Sequence, residues 1–204
     1  MTAGQRFARI VTDIAVRWPW LWRVFRPLMR RQFDRMAPRW AAMRSADAFE
    51  PLEAALGALE VPPKRVLDLG TGTGQAAFVA ASRFPETEVV GVDIAEEMLV
   101  QARLLTPPEL AGRVRFEPAD GAKLPYDDGA FDLVTLANVI PFFDELARVT
   151  APGGAVVISF SAGPETPIYV PDERLRAELG RRGFADFAEF SGGRGTALLA
   201  RKRT

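Results

Sequence analysis

Short apolar, β-branched runs recur along the chain from Val66 onward, and each is followed by a stretch whose apolar residues repeat with helical spacing. The runs Val66–Leu69, Val89–Val92, Val114–Phe116, Leu133–Leu136 and Ala155–Phe160 predict five strands. The intervening segments Gly74–Arg83, Ala95–Leu105, Phe142–Val149 and Asp172–Arg182 predict helices. Alternation of this kind is the mark of a parallel sheet wound with helices. Pro152-Gly153-Gly154 predicts the turn into the fifth strand. Two further runs, Phe184–Phe190 and Thr196–Arg201, flank the turn formers Ser191-Gly192-Gly193 and predict a closing hairpin. The expected architecture is α/β: a seven-stranded, doubly wound, mostly parallel sheet with one antiparallel strand.

Before residue 61 the spacing is helical, with Pro19, Pro27, Pro38 and Pro51 expected as breaks and Pro62-Pro63 as a stiff connector. Residues 1–60 are therefore read as an amino-terminal helical cap or lid, and 61–204 as the sheet domain. A chain of 204 residues accommodates one such domain and a small appendage.

Composition removes much chemistry. With no cysteine there is no disulfide, thiolate metal site or thiol nucleophile, and with no histidine the usual zinc ligand and commonest general base are gone. No closely spaced acidic cluster of the calcium-loop type occurs, so no metal site is expected. The net charge of zero hides an asymmetry: residues 1–44 hold ten arginines against two acids, Asp13 and Asp34, a surplus of +8 that the remaining chain balances. Such an arm either docks on the acidic body or attracts an anionic partner. The apolar stretch from Ile14 to Met29 is interrupted by Arg17, Pro19, Arg23, Arg26 and Pro27, which suits neither a secretory signal nor a membrane span. A cytoplasmic location is the expectation.

A glycine-rich turn after a buried strand lets backbone approach a ligand closely, and the next helix offers free N–H groups. Gly70, Gly72 and Gly74 give G-x-G-x-G, whereas the dinucleotide pattern G-x-G-x-x-G needs its third glycine at position 75, which is Gln75. Asp93 ends the second strand, where a carboxylate can accept hydrogen bonds from both ribose hydroxyls of a nucleoside, and Asp120 follows the third. All lie at strand carboxyl ends, where open α/β sheets bind ligands.

In order along the chain, VLDLGTGTG, VVGVDIAEEML, ADGAKLPYDDGAFDLV and ELARVTAPGGAVVIS resemble the successive motifs of class I S-adenosylmethionine-dependent methyltransferases over about residues 61–160. The family's usual R-V-L-K-P-G-G is altered in its middle here, Arg148 to Gly154 reading RVTAPGG. The resemblance implies a Rossmann-like domain that binds S-adenosylmethionine and releases S-adenosylhomocysteine. By the same resemblance Asp68, Gly70, Gly72 and Gly74 surround the methionine part, Asp93 holds the ribose and Ile94 packs on the adenine. Asp120 accepts from the adenine amino group with Gly121 and Ala122 alongside, and Asn138 sits near the sulfonium. Each also has a structural reading: glycines shaping a turn, Asp93 capping a helix, Asp120 and Asn138 as turn or loop residues.

FDRMAPRW, residues 33–40, is similar to the F-D-x-x-A-x-x-Y entry motif of ubiquinone and menaquinone methyltransferases, with Trp40 in place of tyrosine. This implies a helix closing the site, with Phe33 and Trp40 lining the substrate cavity. The run VRWPWLWRVFRPLMRR, residues 16–31, interleaves aromatics with arginines. It suits a lid or packed helix, a dimer contact, or a surface lying in a membrane interface; nucleic acid is disfavoured because the chain has only three lysines.

Methyl transfer from a sulfonium is a direct displacement, so positioning and exclusion of water supply much of the catalysis, about 7–11 kcal/mol. A base is optional, and none is singled out among Tyr126, Asp127, Asp128, Asp144 and Tyr169, the candidates expected near the mouth. The apolar character of the lid and of the loops at 138–143 and 164–170 points to a small apolar acceptor. Two alternatives stand beside the enzyme: a non-catalytic S-adenosylmethionine-binding protein or partner subunit, and a nicotinamide-dependent reductase.

Overall fold

The structure is a computed structural model that describes residues 3–40 and 46–204; Arg44 of the basic arm lies outside them. Seven strands form one sheet: β1 (Arg65–Leu69), β2 (Glu88–Asp93), β3 (Val114–Pro118), β4 (Phe131–Ala137), β5 (Thr150–Phe160), β6 (Phe184–Gly192) and β7 (Gly195–Lys202). Their spatial order is β3-β2-β1-β4-β5-β7-β6. The first five run parallel, and β7 inserts antiparallel to both β5 and β6. The order reverses between β1 and β4, which opens a crevice at their carboxyl ends.

Alternate residues of each strand serve opposite faces. Leu67, Leu69, Val90, Val92, Val134 and Leu136 join one core with helices α1 (Ala3–Arg17), α2 (Trp22–Trp40), α6 (Phe143–Val149) and α7 (Asp172–Gly180). Val66, Val89, Leu133 and Val157 join the other with α3 (Glu50–Gly57), α4 (Gln75–Arg83) and α5 (Glu96–Leu105). Because both faces are covered, the strands read as unbroken apolar runs.

Three local expectations are corrected. Pro27 and Pro38 lie inside α2 and do not break it; both are exposed, so the carbonyls of Arg23 and Asp34 that lose a donor stand on the water side of the helix. Pro152 to Gly154 are part of β5, which starts at Thr150; the pairing with β4 shifts register there and Gly153 has φ 75°, so the turn residues form an irregularity within the strand. The hairpin reverses at Gly193-Arg194, since Gly192 still pairs with Gly195; β6 runs two residues past the expected Phe190 and β7 starts one residue before Thr196, and Gly193, at φ 51°, takes the left-handed position.

The amino-terminal helices sit over the crevice. On α1, Val11, Ala15 and Val16 are buried in the core, and Arg9 donates to the carbonyls of Pro164 and Thr166, each at 2.8 Å. On α2, Trp22, Met29, Phe33, Ala37 and Trp40 fall on one face by the 100° step of a helix, and that face turns inward.

Candidate functional site

Beyond Leu69 the chain turns through Gly70, Gly72 and Gly74, all with positive φ, before α4 begins at Gln75. Gly70 is required for two reasons. Its φ is +65°, and a Cβ there would fall 2.8 Å from Val139 Cγ1 and closer still to Cγ2. Asp68, buried beneath the turn, braces it by accepting from Thr71 Oγ1 at 2.6 Å and Thr135 Oγ1 at 2.9 Å. Across the crevice, Asp93 Oδ2 accepts from Gly72 N and Oδ1 from Ala95 N, both at 2.9 Å. Burial raises the Asp93 pKa; the N–H groups of Ala95, Gly72 and Ile94 pull it back, and the negative charge of Asp34 adds to the rise.

A cavity opens above these groups, with about 720 Å³ of empty space counting its open mouth. Its floor and sides are Leu69, Gly70, Gly72, Val92, Asp93, Ile94, Ala119, Gly121 and Asn138. Its roof is Trp22, Met29, Phe33 and Trp40 from α2 with Met98 of α5, and its far wall is Val139, Ile140, Phe142 and Ile168. Asp93 is the one titratable side chain among these residues. Phe33 meets Trp40 edge-on at 5.6 Å, and Trp22 leans on Phe142 at 5.4 Å.

The roof is pinned at both ends. Asp34 Oδ1 accepts from Glu97 N at 3.1 Å, capping the start of α5 from the lid, while Ala37, Ala95 and Met98 pack beneath. Near the other end, Trp22 Nε1 donates to Asp120 Oδ1 at 2.9 Å and Arg26 to Asp120 Oδ2 at 2.8 Å.

A family described as "Methyltransferase domain" matches residues 66–154. The demethylmenaquinone methyltransferase of Thermus thermophilus is 43% identical over 139 residues, which cover 62% of this chain and 62% of that protein. The malonyl-[acyl-carrier protein] O-methyltransferase of Halorhodospira halophila is 38% identical over 150 residues, 69% of this chain and 50% of the relative. Over these matched residues the chain is similar to the class I S-adenosylmethionine-dependent methyltransferases. It spans half to two thirds of the length of these curated relatives. The fold agrees: a chain from the complex between the Haloferax volcanii Trm112 methyltransferase activator and a methyltransferase superposes with TM-score 0.70 at 19% identity, covering 84% of this chain and 98% of its own. Human N-acetylserotonin methyltransferase in complex with S-adenosylmethionine superposes with TM-score 0.61 at 21% identity, covering 76% of this chain and 53% of its own.

Within the cavity and around it, the residues expected from sequence divide into two groups. Gly70, Gly72, Asp93, Ile94, Gly121, Asn138, Phe33 and Trp40 line the cavity. Asp68, Gly74, Asp120 and Ala122 do not. Gly74 caps α4 behind the turn, and Asp120 faces the recesses at the lid's edge, where Oδ1 also accepts from Ala122 N. Asn138 has φ 59°, a strained position for any residue but glycine; its Oδ1 accepts from Ser161 N at 2.9 Å and its Nδ2 donates to Ser161 Oγ at 3.0 Å. Its side chain is therefore engaged with β5's exit.

The candidate bases are corrected, for none of the five lines the cavity. Tyr126 donates to Glu117, and burial together with that bond raises its pKa far beyond the ordinary phenol range. Asp128 pairs with Arg148 at 3.0 Å and Asp144 with Arg182 at 2.7 Å, both on the surface. Asp127 stays in the exposed turn, and Tyr169 rests edge-on against Phe160. The apolar lining expected from the lid and from residues 138–143 and 164–170 is supplied by Trp22, Met29, Val139, Ile140, Phe142 and Ile168, while Met98 of α5 was not expected. The spacing of Trp22, Met29, Phe33 and Trp40 places those four on one helical face.

Proposed function

We propose that the chain transfers a methyl group from S-adenosylmethionine to a small apolar acceptor. The observation that carries this reading is an apolar cavity under the amino-terminal helices whose single ionisable group, Asp93, stands where a ribose diol needs it. The relatives named for demethylmenaquinone and malonyl-[acyl-carrier protein] support methylation of small molecules. The match to a nucleoside is chemical as well as spatial. Each Asp93 oxygen accepts one backbone N–H and keeps lone pairs for a hydroxyl, while Ile94 and Ala119 offer flat apolar contact for a base. In this reading the Gly70-to-Gly74 turn brings backbone against the methionine part, Asp68 holds that turn in shape, and Gly121 and Ala122 stand along the adenine. Asp120 has roughly four lone-pair sites, of which three are taken by Trp22, Arg26 and Ala122, leaving one for the adenine amino group.

Bound S-adenosylmethionine supplies an electrophilic methyl on a positive sulfur, which an acceptor's lone pair displaces in line. The chain's own contribution is to orient and to dry the site. Phe33, Trp40, Met29 and Ile168 offer shape and apolar contact to an acceptor, and the lid keeps water out. With no base on the wall, the acceptor must arrive as a nucleophile in its own right, such as a readily ionised enol carbon. The decisive experiment is calorimetry of S-adenosylmethionine and NADH binding, followed by S-adenosylhomocysteine release against quinols, phenols and amines. Binding of S-adenosylmethionine alone, with turnover on an apolar quinol methylated at carbon, is the expected result. Binding without turnover on any acceptor favours the non-catalytic partner subunit, a reading motivated by the base-free wall; NADH binding sinks both.

The lid's hold on Asp120 gives a separate expectation. Trp22→Phe combined with Arg26→Ala removes both donors while keeping an aromatic ring on Phe142. Since the Arg26 pair is half exposed and worth little, and the indole bond about 1 kcal/mol, S-adenosylmethionine should dissociate about 5- to 10-fold faster in stopped-flow measurements. An unchanged rate shows that the lid is held without them.

A further inference from the structure

Most of the positive charge on the amino-terminal helices is, among the described residues, not spent on the acidic body. Among the described residues, Arg26 alone on the two lid helices reaches a carboxylate of the body, and Arg30 pairs with Asp34 of its own helix. Arg9 binds carbonyls. Arg17, Arg23, Arg31 and Arg35 are exposed and have no carboxylate partner among the described residues. The lid docks by its apolar inner face, so its outer face keeps the charge.

That outer face is also apolar where surfaces are usually polar. Trp18 is 45% exposed, Trp20 60%, Val24 63% and Leu28 53%. On α2, Val24, Leu28, Arg31 and Arg35 recur at steps of four, three and four, which sets them on one stripe opposite Trp22, Met29 and Phe33. Trp18 and Trp20 lead into it from the turn Pro19–Leu21. Arg17 lies over the Trp18 ring at 4.9 Å and Arg23 over Trp20 at 5.8 Å, so each exposed indole carries its own cation. Two water-facing tryptophans and two aliphatic side chains amid unpaired arginines cost solvation with no return inside the chain. No helix among the described residues is long and apolar enough to cross a membrane.

We propose that this outer face of the lid lies on an anionic lipid surface, with Trp18, Trp20, Val24 and Leu28 at the headgroup boundary and Arg17, Arg23 and Arg31 on the lipid phosphates. Indoles favour that boundary, and arginine's apolar stem with a charged head suits the same depth. Charge alone would suit any polyanion; the apolar stripe between the charges is what selects a bilayer. The surface is distinct from the cavity lining, so the inference stands whether or not methyl transfer does, and its test reads no activity.

The full-length protein is floated with vesicles of pure phosphatidylcholine or of equal phosphatidylcholine and phosphatidylglycerol, over a series of salt concentrations. Binding to the anionic vesicles is expected to exceed binding to the neutral ones by about 100-fold at low salt, for three arginines near the surface. Trp18→Ser/Trp20→Ser/Val24→Ser/Leu28→Ser and Arg17→Gln/Arg23→Gln/Arg31→Gln should each lose at least about 10-fold, with melting temperature and S-adenosylmethionine affinity unchanged because every substituted side chain is exposed. Failure of the unaltered protein to float with anionic vesicles overturns the proposal. So does full retention by the serine variant, which would show that charge alone holds the vesicles, as it would any polyanion. A dimer in sedimentation that the serine variant splits, without vesicle binding, would assign the face to a second copy of the chain. Should the serine variant melt early, the lipid and salt dependence of the unaltered protein decides by itself.

Discussion

Asp93→Asn should weaken S-adenosylmethionine binding at least about 100-fold by calorimetry, the largest effect expected from any single change in the cavity. The carboxylate accepts from Gly72 N and Ala95 N, one on each oxygen. An amide keeps only one acceptor and turns an NH2 toward the other backbone N–H, so the glycine turn or the start of α5 loses its anchor. It also removes charge from the proposed acceptor of two ribose hydroxyls, and hydrogen bonds to a charged group are worth about 1.5–3 kcal/mol each. The same carboxyl sets a pH dependence. Burial raises its pKa, so acidification protonates it at a higher pH than the ordinary aspartate value of about 4 and cofactor affinity falls there. The stability contribution has the opposite sign. A raised folded-state pKa means the folded chain holds the proton more tightly than the unfolded one, so this group's contribution is present at low pH and lost as pH rises through the folded pKa. Affinity that worsens on acidification in the unaltered protein, and stays flat in Asp93→Asn, is the pattern to look for. An Asn variant within about 3-fold of the parent would remove Asp93 from the ribose.

The second large effect is on folding. Gly70→Ala forces an L side chain to φ +65° and drives its Cβ into the Val139 side chain. The backbone cost is about 1–3 kcal/mol and the overpacking about 1–3 kcal/mol, together a fall of about 5–15 °C in melting temperature for a domain of this size. Val139→Ala in the same chain should restore part of this by clearing the clash while leaving the φ penalty. A single Gly70→Ala variant that melts with the parent would mean that Val139 yields freely, and the turn would then not be the fixed element it is taken to be. Because Val139 also lines the cavity, the double variant should recover stability more fully than cofactor affinity.

The parts of this molecule that could be read early are those written locally. The five parallel strands announce themselves because a strand buried on both faces must be apolar along its whole length, and the crossover helices because their period changes from 2 to 3.6. Pro27 and Pro38 misled because a proline's cost depends on whether the carbonyl it frees faces water, and that depends on what covers the helix. The base candidates misled for a similar reason. Asp128 follows β3 and Asp144 follows β4, whose carboxyl ends face the crevice, yet arginines from elsewhere in the chain, Arg148 and Arg182, claim them on the surface.

By itself the sequence determined the α/β class, the glycine turn at Gly70 to Gly74 and the carboxylate at Asp93, because backbone freedom and the end of a strand are properties of neighbouring residues. Only the tertiary structure decided which of the candidate residues share a cavity, that Asp120 holds the lid through Trp22 and Arg26, and that Asn138 is bound to Ser161. It alone decided that Arg17, Arg23, Arg31 and Arg35 keep no carboxylate partner among the described residues, beside an apolar outer face. Those outcomes rest on contacts between residues far apart along the chain, 98 positions in the case of Trp22 and Asp120. No periodicity along the chain encodes such distances; packing of the helices over the sheet sets them.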